Sequence, residues 1–387
     1  MQEPYGIYHM TIGIIGGGIG GLTTAIALHQ LKFKVEVFES AAAFAPVGAG
    51  LALAANAIKA FKKLGIADDI IARGQCLDGF HIFDEQGRLI NCTDSRAMSA
   101  KYGLDNFVIH RASLHEALLA HLSEVPLHVN KRVVSADTSS QGVTLTFQDG
   151  STRQMDYVLV ADGIHSAVRQ QLLPASTPRY AGYTCWRAVI ENPGLTAHYA
   201  SETWGPAGRV GWTPLQDNKI YWFACINAPQ NDPAMKAMTI EDLRQHFSHY
   251  HAPLPALFNA TQPEQLLWHD LYDLAPINKY AFQNLLLIGD AAHATTPNMG
   301  QGACQAIEDA AVLADELSLD RDLNAAAKRF EKRRLARTHW ITNQSRLLGN
   351  VAQATNPLFI KARNFALKHM PKAINDRQLE KVYSVDF

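Results

Sequence analysis

Three separated runs of the chain hold glycines and carboxylates at spacings that suit a ligand carrying phosphates and sugar hydroxyls. In the first, Gly16, Gly18 and Gly21 fit G-x-G-x-x-G, with Ile19 among them. In that pattern the first glycine makes a tight turn, the second lets backbone approach a pyrophosphate, and the third lets helix pack on strand. Free N–H groups at the helix start then face the phosphates. Glu39 falls 18 residues after Gly21, where a carboxylate accepts hydrogen bonds from a ribose. The second run ends an apolar segment, 157–161, in Asp162-Gly163. The third ends another, 284–288, in Gly289-Asp290, and continues to Pro297, Asn298, Gly300, Gly302 and Ala303.

The elements that must position these residues follow from local pattern. Residues 12–15 predict a strand, 22–31 a helix and 34–39 an alternating strand, which is a βαβ nucleotide unit. Both later Gly/Asp turns fit the carboxyl edge of a parallel sheet, where ligands bind. They lie far beyond the first glycines, and that separation favours a long ligand, FAD, over NAD as the tightly held cofactor. A helix starting at 300–302 would offer its positive end to a reduced flavin. A Gly-broken stretch at 47–51 precedes a helical run to about 64, a hairpin is predicted at 80–92, and alternating strands at 127–160. Residues 179–276 are rich in aromatics and predict β hairpins with one helix at 240–250. From 321 onward the chain reads as helical, its basic stretch at 328–337 being a solvated face.

The expected fold class is therefore α/β: a Rossmann-like FAD-binding domain with an inserted β-sheet substrate domain and C-terminal helices. The expected boundaries are 10–75, 104–176 and 277–320 for the first, 76–103 and 177–276 for the second, and 321–387 for the helices.

Composition narrows the function classes. With 35 Lys plus Arg and 36 Asp plus Glu among 387 residues, the formal charge is −1, so no global field recruits nucleic acid or anionic membrane. The 47% apolar and 18% charged residues suit a packed globular enzyme of small molecules. Five cysteines without C-x-x-C exclude a disulfide scaffold or cysteine zinc site and fit a reducing compartment, the cytoplasm. His246, His249 and His251 lack a carboxylate at ligand spacing, so no metal is expected. The uncharged stretches 11–31 and 40–58 are broken by glycines and read as tight backbone rather than membrane insertion.

Three fingerprints carry a family resemblance: GGGIGG with Glu39, ADGIHSAVR at 161–169, and LLLIGDAAHATTPNMGQGACQAIEDA at 285–310. The sequence resembles the class A FAD-dependent monooxygenases, the single-component aromatic hydroxylases. GYTCWRAV at 182–189 is similar to the salicylate hydroxylase, zeaxanthin epoxidase and urate hydroxylase branch. The resemblance implies FAD as cofactor, NADPH or NADH as transient co-substrate, and O₂ delivered through a C4a-hydroperoxyflavin. The implied substrate is a small planar aromatic or heteroaromatic, and the implied assembly a monomer or homodimer. Arg111 matches an arginine near the flavin; Arg209 and Tyr221 match positions that hold or polarise substrate. Asn298 stands where the urate-hydroxylase branch has an aspartate base, and an amide takes no proton at neutral pH. Arg209, Tyr221 and Asn298 are thus the catalytic candidates, with Trp186, Arg187, Met299 and Trp222 as weaker pocket neighbours. A three-residue hairpin loop near Asp217 would put Arg209 and Tyr221 on one face, and a two-residue loop on opposite faces. A flavin-dependent reductase or oxidase, or a non-catalytic flavin-binding protein, stays open as an alternative.

Overall fold

In the computed structural model, which describes residues 10–44, 49–104 and 106–387, two sheets do the positioning. The first has six strands in the order Ala281–Phe282, Leu285–Leu287, Tyr157–Val160, Thr11–Ile15, Lys34–Phe38 and Leu127–His128. Its strands are parallel except for the terminal pair Ala281–Phe282 and Leu285–Leu287. Ile12, Ile14, Val158 and Leu285–Leu287 are fully buried, as expected where helices cover both faces of a parallel sheet. Helix Ile19–Gln30 packs on this sheet and on helix Gly302–Leu319.

The second sheet has seven strands in the order Leu267–Leu274, Pro178–Glu191, Lys219–Asn227, Gly208–Leu215, Tyr199–Gly205, Gly79–Asp84 and Leu89–Asp94. One face carries Trp186, Ala188, Val210, Trp212, Ile220 and Trp222, which form a core with helices Ile240–His246 and Leu254–Ala260. Trp186 and Trp222 therefore belong to this core rather than to a pocket beside the cofactor. Alternation puts Tyr183, Cys185, Arg187, Arg209, Tyr221, Phe223 and Cys225 on the opposite face.

The aromatic segment differs from expectation in its helices. Three α-helices, Pro233–Ala237, Ile240–His246 and Leu254–Ala260, stand where the sequence predicts one. The reason is local capping: Asp232 caps a helix with Pro233 at its start, and Thr239 and Asp242 form a reciprocal capping box. Residues 47 and 48 of the Gly-broken stretch lie outside the described residues. Its remainder forms strand Gly50–Leu53, paired antiparallel with Phe107–His110. The C-terminal part is helical: Leu323–Ala352, Pro357–Lys368 and Lys372–Tyr383. No helix among the described residues is long and apolar enough to cross a membrane.

Candidate active site

Parallel pairing brings the fingerprints together at one sheet edge. Gly16, Glu39 and Asp162 directly follow strands Thr11–Ile15, Lys34–Phe38 and Tyr157–Val160 or lie one residue beyond, and Asp290 follows Leu285–Leu287. At the first turn, Gly16 has φ +101°, and a side chain there would collide with the Ala161 carbonyl. A Cβ at Gly21 would run into the Gly16 carbonyl, which explains why helix and strand pack so closely there. Gly18 faces open space and gives the helix Ile19–Gln30 no side-chain cap. The N–H groups at this helix start are left for a ligand.

Glu39 reaches back to this turn. Its Oε2 accepts from the Gly17 N–H at 2.7 Å, and its Oε1 from the Ala41 N–H at 2.7 Å. Asp162 differs, because its Oδ1 is buried without a hydrogen-bond partner, and burial raises its pKa. Asp290 is open to solvent, yet protein crowds it enough that lost hydration raises its pKa, with His293 and Arg111 pulling it back. An exposed but crowded carboxylate marks a cleft wall. Arg111, exposed at the start of helix Arg111–Ala120, is the cation facing that wall.

The last part of the edge is Pro297–Met299, Gly300 and the start of helix Gly302–Leu319. Gly300 takes φ +61° and, like Gly18, borders open space: a Cβ on either would meet no atom within 4 Å. Gln301 supplies no side-chain cap, and Gly302 and Ala303 begin the helix with no acid in its first turn. The Thr295 hydroxyl nearby is buried and unpartnered. Two uncapped helix starts and an orphaned carboxylate oxygen, joined by glycines open to space, fit FAD: phosphates at the first, hydroxyls at the acids, and a polar ring edge at the second.

Register settles the geometry of Arg209 and Tyr221. The hairpin loop is three residues, 216–218, with Asp217 and Asn218 both at positive φ, a conformation these residue types tolerate. Arg209 pairs with Cys225 and Thr213 with Tyr221, so both side chains emerge on the same face. Tyr221 packs tightly over Gly50, where an added Cβ would lie 2.6 Å from the tyrosine Cβ. Among the described residues its hydroxyl has no hydrogen bond. Arg187, on the adjacent strand, has no carboxylate partner among them either.

Arg209, by contrast, is buried and heavily engaged. Its guanidinium donates to Asn298 Oδ1, leans on Glu202 at 3.5 Å and lies 5.4 Å from the Tyr183 ring, while Nε is unpartnered. Asn298 Nδ2 donates to Tyr183 at 2.9 Å, Thr296 at 2.8 Å and the Ser345 carbonyl at 2.8 Å. Arginine only donates and a carbonyl only accepts, so these partners fix which end of the amide points where. Tyr183 is pushed up to about 12 by burial, against the pull of Arg209. Sequence reasoning missed Tyr183, Glu202, Ser345 and Gly349. The signal for the last was a glycine inside a long helix: a Cβ at Gly349 would collide with Asn298 Nδ2.

Behind the cleft, the fingerprint histidine turns away from it. His293 meets Asp309 Oδ2 at 2.7 Å, and the Gly289 N–H donates to the same oxygen at 2.8 Å. Arg334 joins Asp309 to Glu308, and Arg169 ties Ile164 to Ala291 through their carbonyls. These groups hold the turns rather than line the opening.

Comparison with known proteins points to the same cofactor. Residues 9–338 match the model of the FAD binding domain family. The chain is 37% identical over 362 residues to an aurachin C monooxygenase/isomerase of Stigmatella aurantiaca, covering 93% of this chain and 94% of that protein. It is 31% identical to the 2-heptyl-3-hydroxy-4(1H)-quinolone synthase of Pseudomonas aeruginosa strain UCBPP-PA14, covering 97% and 98%. Among solved structures, Klebsiella pneumoniae HpxO complexed with FAD and uric acid superposes with a TM-score of 0.90 at 26% identity, covering 98% of each chain.

Proposed function

This chain belongs to the FAD binding domain family and is an FAD-dependent monooxygenase that uses NAD(P)H and O₂, and we propose that its substrate is a planar 4(1H)-quinolone-type ring bearing an apolar chain. The observation that carries this reading is the chemistry of the open sheet face. That face offers hydrogen-bond donors, the Tyr221 hydroxyl and the Arg187 guanidinium, but among the described residues no free carboxylate base. Glu202 is taken by the Trp204 indole N–H at 2.6 Å and by Arg209. Asn298 holds no exchangeable charge, and its amide is occupied in fixing Arg209 and Tyr183. A ring whose own N–H feeds electrons to the carbon being oxidised needs no enzyme base to activate it. A quinolone is such a ring, and its carbonyl oxygen is an acceptor for the two donors. The name of one relative supports the same class.

When bound, FAD supplies hydride acceptance from NAD(P)H and transfer of one oxygen atom from O₂. The residues that hold it are Gly16, Gly18, Ile19, Gly21, Glu39, Arg111, Asp162, Asp290, Pro297, Gly300, Gly302 and Ala303. Arg209 sets the field of the substrate chamber, Tyr221 donates to the substrate oxygen, and Asn298 positions Arg209. Phe223 and Tyr221 present aromatic surface to the ring, and water is kept out by their packing. None of the five cysteines is in a disulfide, which suits the reducing cytoplasm where NAD(P)H is made.

The test is NAD(P)H oxidation by the flavin-loaded enzyme over a panel of 2-alkyl-4(1H)-quinolones, urate and hydroxybenzoates, with product mass as readout. Quinolones should stimulate oxidation and gain one oxygen. Turnover of urate or a hydroxybenzoate with none of any quinolone would overturn the substrate reading. In the same assay Tyr221→Phe should lower quinolone turnover about fivefold, the worth of one hydrogen bond, with flavin content unchanged; equal turnover removes Tyr221 from the site.

A further inference from the structure

Leu347, Leu358, Phe359, Phe365 and Ile374 are five of the nine large apolar side chains most exposed among the described residues, and all lie in the C-terminal helices. Helix Pro357–Lys368 concentrates them. It is built to be a helix regardless of any partner: Asn356 caps it by accepting from the Leu358 and Phe359 N–H groups at 3.0 and 3.1 Å, with Pro357 in the first turn. Its inner side buries Ile360 and Arg363. Its outer side leaves Leu358 77% exposed and Phe365 67% exposed, one above the other at seven-residue spacing. Exposed Lys361 and Lys368 interleave with them, and the helix contains no acidic residue.

The inner contacts tie this helix to the substrate sheet. Arg363 donates to the Val351 and Ala352 carbonyls and lies 5.2 Å from the Trp204 ring. The Trp204 indole in turn donates to Glu202, the carboxylate beside Arg209. The Leu367 carbonyl accepts from Asn91 on the edge strand Leu89–Asp94. The apolar face thus lies on the outer side of a helix anchored to the sheet that carries Arg209.

A solvated helix normally turns its polar side outward, so this face is made for a surface that is both apolar and negatively charged. A second copy of the chain fits poorly. A twofold contact through this helix would bring its lysines together with no acid on the helix to balance them. An anionic bilayer satisfies both features, taking leucine and phenylalanine into the acyl boundary and lysine among the headgroups. We propose that helix Pro357–Lys368 is a docking face for an anionic lipid membrane, holding the substrate sheet against the lipid. The overall charge of −1 makes the attraction local to this helix. That docking serves to collect a chain-bearing substrate rests on the function proposed above; the docking itself does not.

Co-sedimentation of the flavin-loaded full chain with phosphatidylglycerol/phosphatidylcholine vesicles, and with phosphatidylcholine alone, tests it without any substrate present. Wild type should pellet with the anionic vesicles and release as salt is raised. Leu358→Glu/Phe365→Glu and Lys361→Glu/Lys368→Glu should each lower the partition at least tenfold, while keeping the melting temperature and flavin content. Equal partition of wild type onto both vesicle types overturns the proposal. So does a wild-type dimer in sedimentation velocity that the same substitutions dissociate, since the face would then be a self-interface. Docking with no quinolone turnover would leave this proposal standing and remove the substrate reading alone.

Discussion

Asp290 and Asp309 bracket the same fingerprint and live in opposite surroundings. Asp309 is fully buried, yet His293, Arg334 and the Gly289 N–H outweigh its lost hydration and hold its pKa below the usual carboxylate value. Glu308 beside it is lowered likewise, against its burial, by Arg334 and Arg337. At Asp290, His293 and Arg111, and at Asp162, Ser166 and Arg169, do not outweigh the lost hydration, and both are raised. One pair of acids is complete within the protein, and the other is left incomplete at the edge where a cofactor's hydroxyls would complete it. Perturbed groups in a cleft and satisfied groups behind it are how a structure separates a binding surface from its support.

The largest effect should come from breaking the complete pair. Asp309→Asn leaves Arg334 and His293 facing a neutral group in the interior, with an expected loss of about 3–5 kcal/mol by calorimetry. A loss below about 1 kcal/mol would mean the network is not what holds the turns. Asp290→Ala should act in the other direction on the two states: the apo-protein melts no lower, while FAD affinity falls by about 1.5–3 kcal/mol, or ~10- to 100-fold. Fluorescence titration of FAD reads this, and unchanged affinity would remove Asp290 from the cofactor site.

Gly349→Ala sharpens the comparison on the substrate side. The added methyl drives into the Asn298 amide, so about 1–3 kcal/mol of stability should be lost although alanine favours a helix. Turnover should fall with it and flavin content stay; a more stable, fully active variant would show that the Asn298 network is not needed to place Arg209.

The smallest effect is in pH dependence. Asp309 and Glu308 have folded pKa values below their unfolded ones, so their stabilisation is present above the ordinary values of 3.8 and 4.5 and is lost as pH falls through the folded values. Asp162 and Asp290 are raised, so their contribution is greatest below 3.8 and is lost as pH rises through their folded values. Asp162→Asn should therefore stabilise the apo-protein by ~1 kcal/mol or less at neutral pH, and the gain should vanish in acid. A gain that persists at pH 3 would contradict a raised Asp162 whose Oδ1 lacks a partner.

Much of the support is plain in the sequence. The strand, glycine turn and helix at 11–30 are predictable because the steric demands of Gly16 and Gly21 act within a few residues. The Asp232-Pro233 and Thr239/Asp242 caps are just as local, yet the pattern there predicts one helix, and the structure has three. Asn298 is visible as a residue that cannot be a base. That it clasps Arg209 and Tyr183, 89 and 115 residues away in the chain, is not, since nothing local reports a partner at that distance.

The sequence by itself determined the βαβ unit, the turns and the residues available at each, because periodicity, capping and glycine geometry are short-range. Tertiary structure decided two things. The loop of three residues at 216–218 set the register that puts Arg209 and Tyr221 on one face, since a shift of one residue reverses every side chain of a strand. The assembly of distant segments decided which carboxylates are satisfied and which await a ligand, since a pKa depends on the partners and burial that only the folded chain supplies.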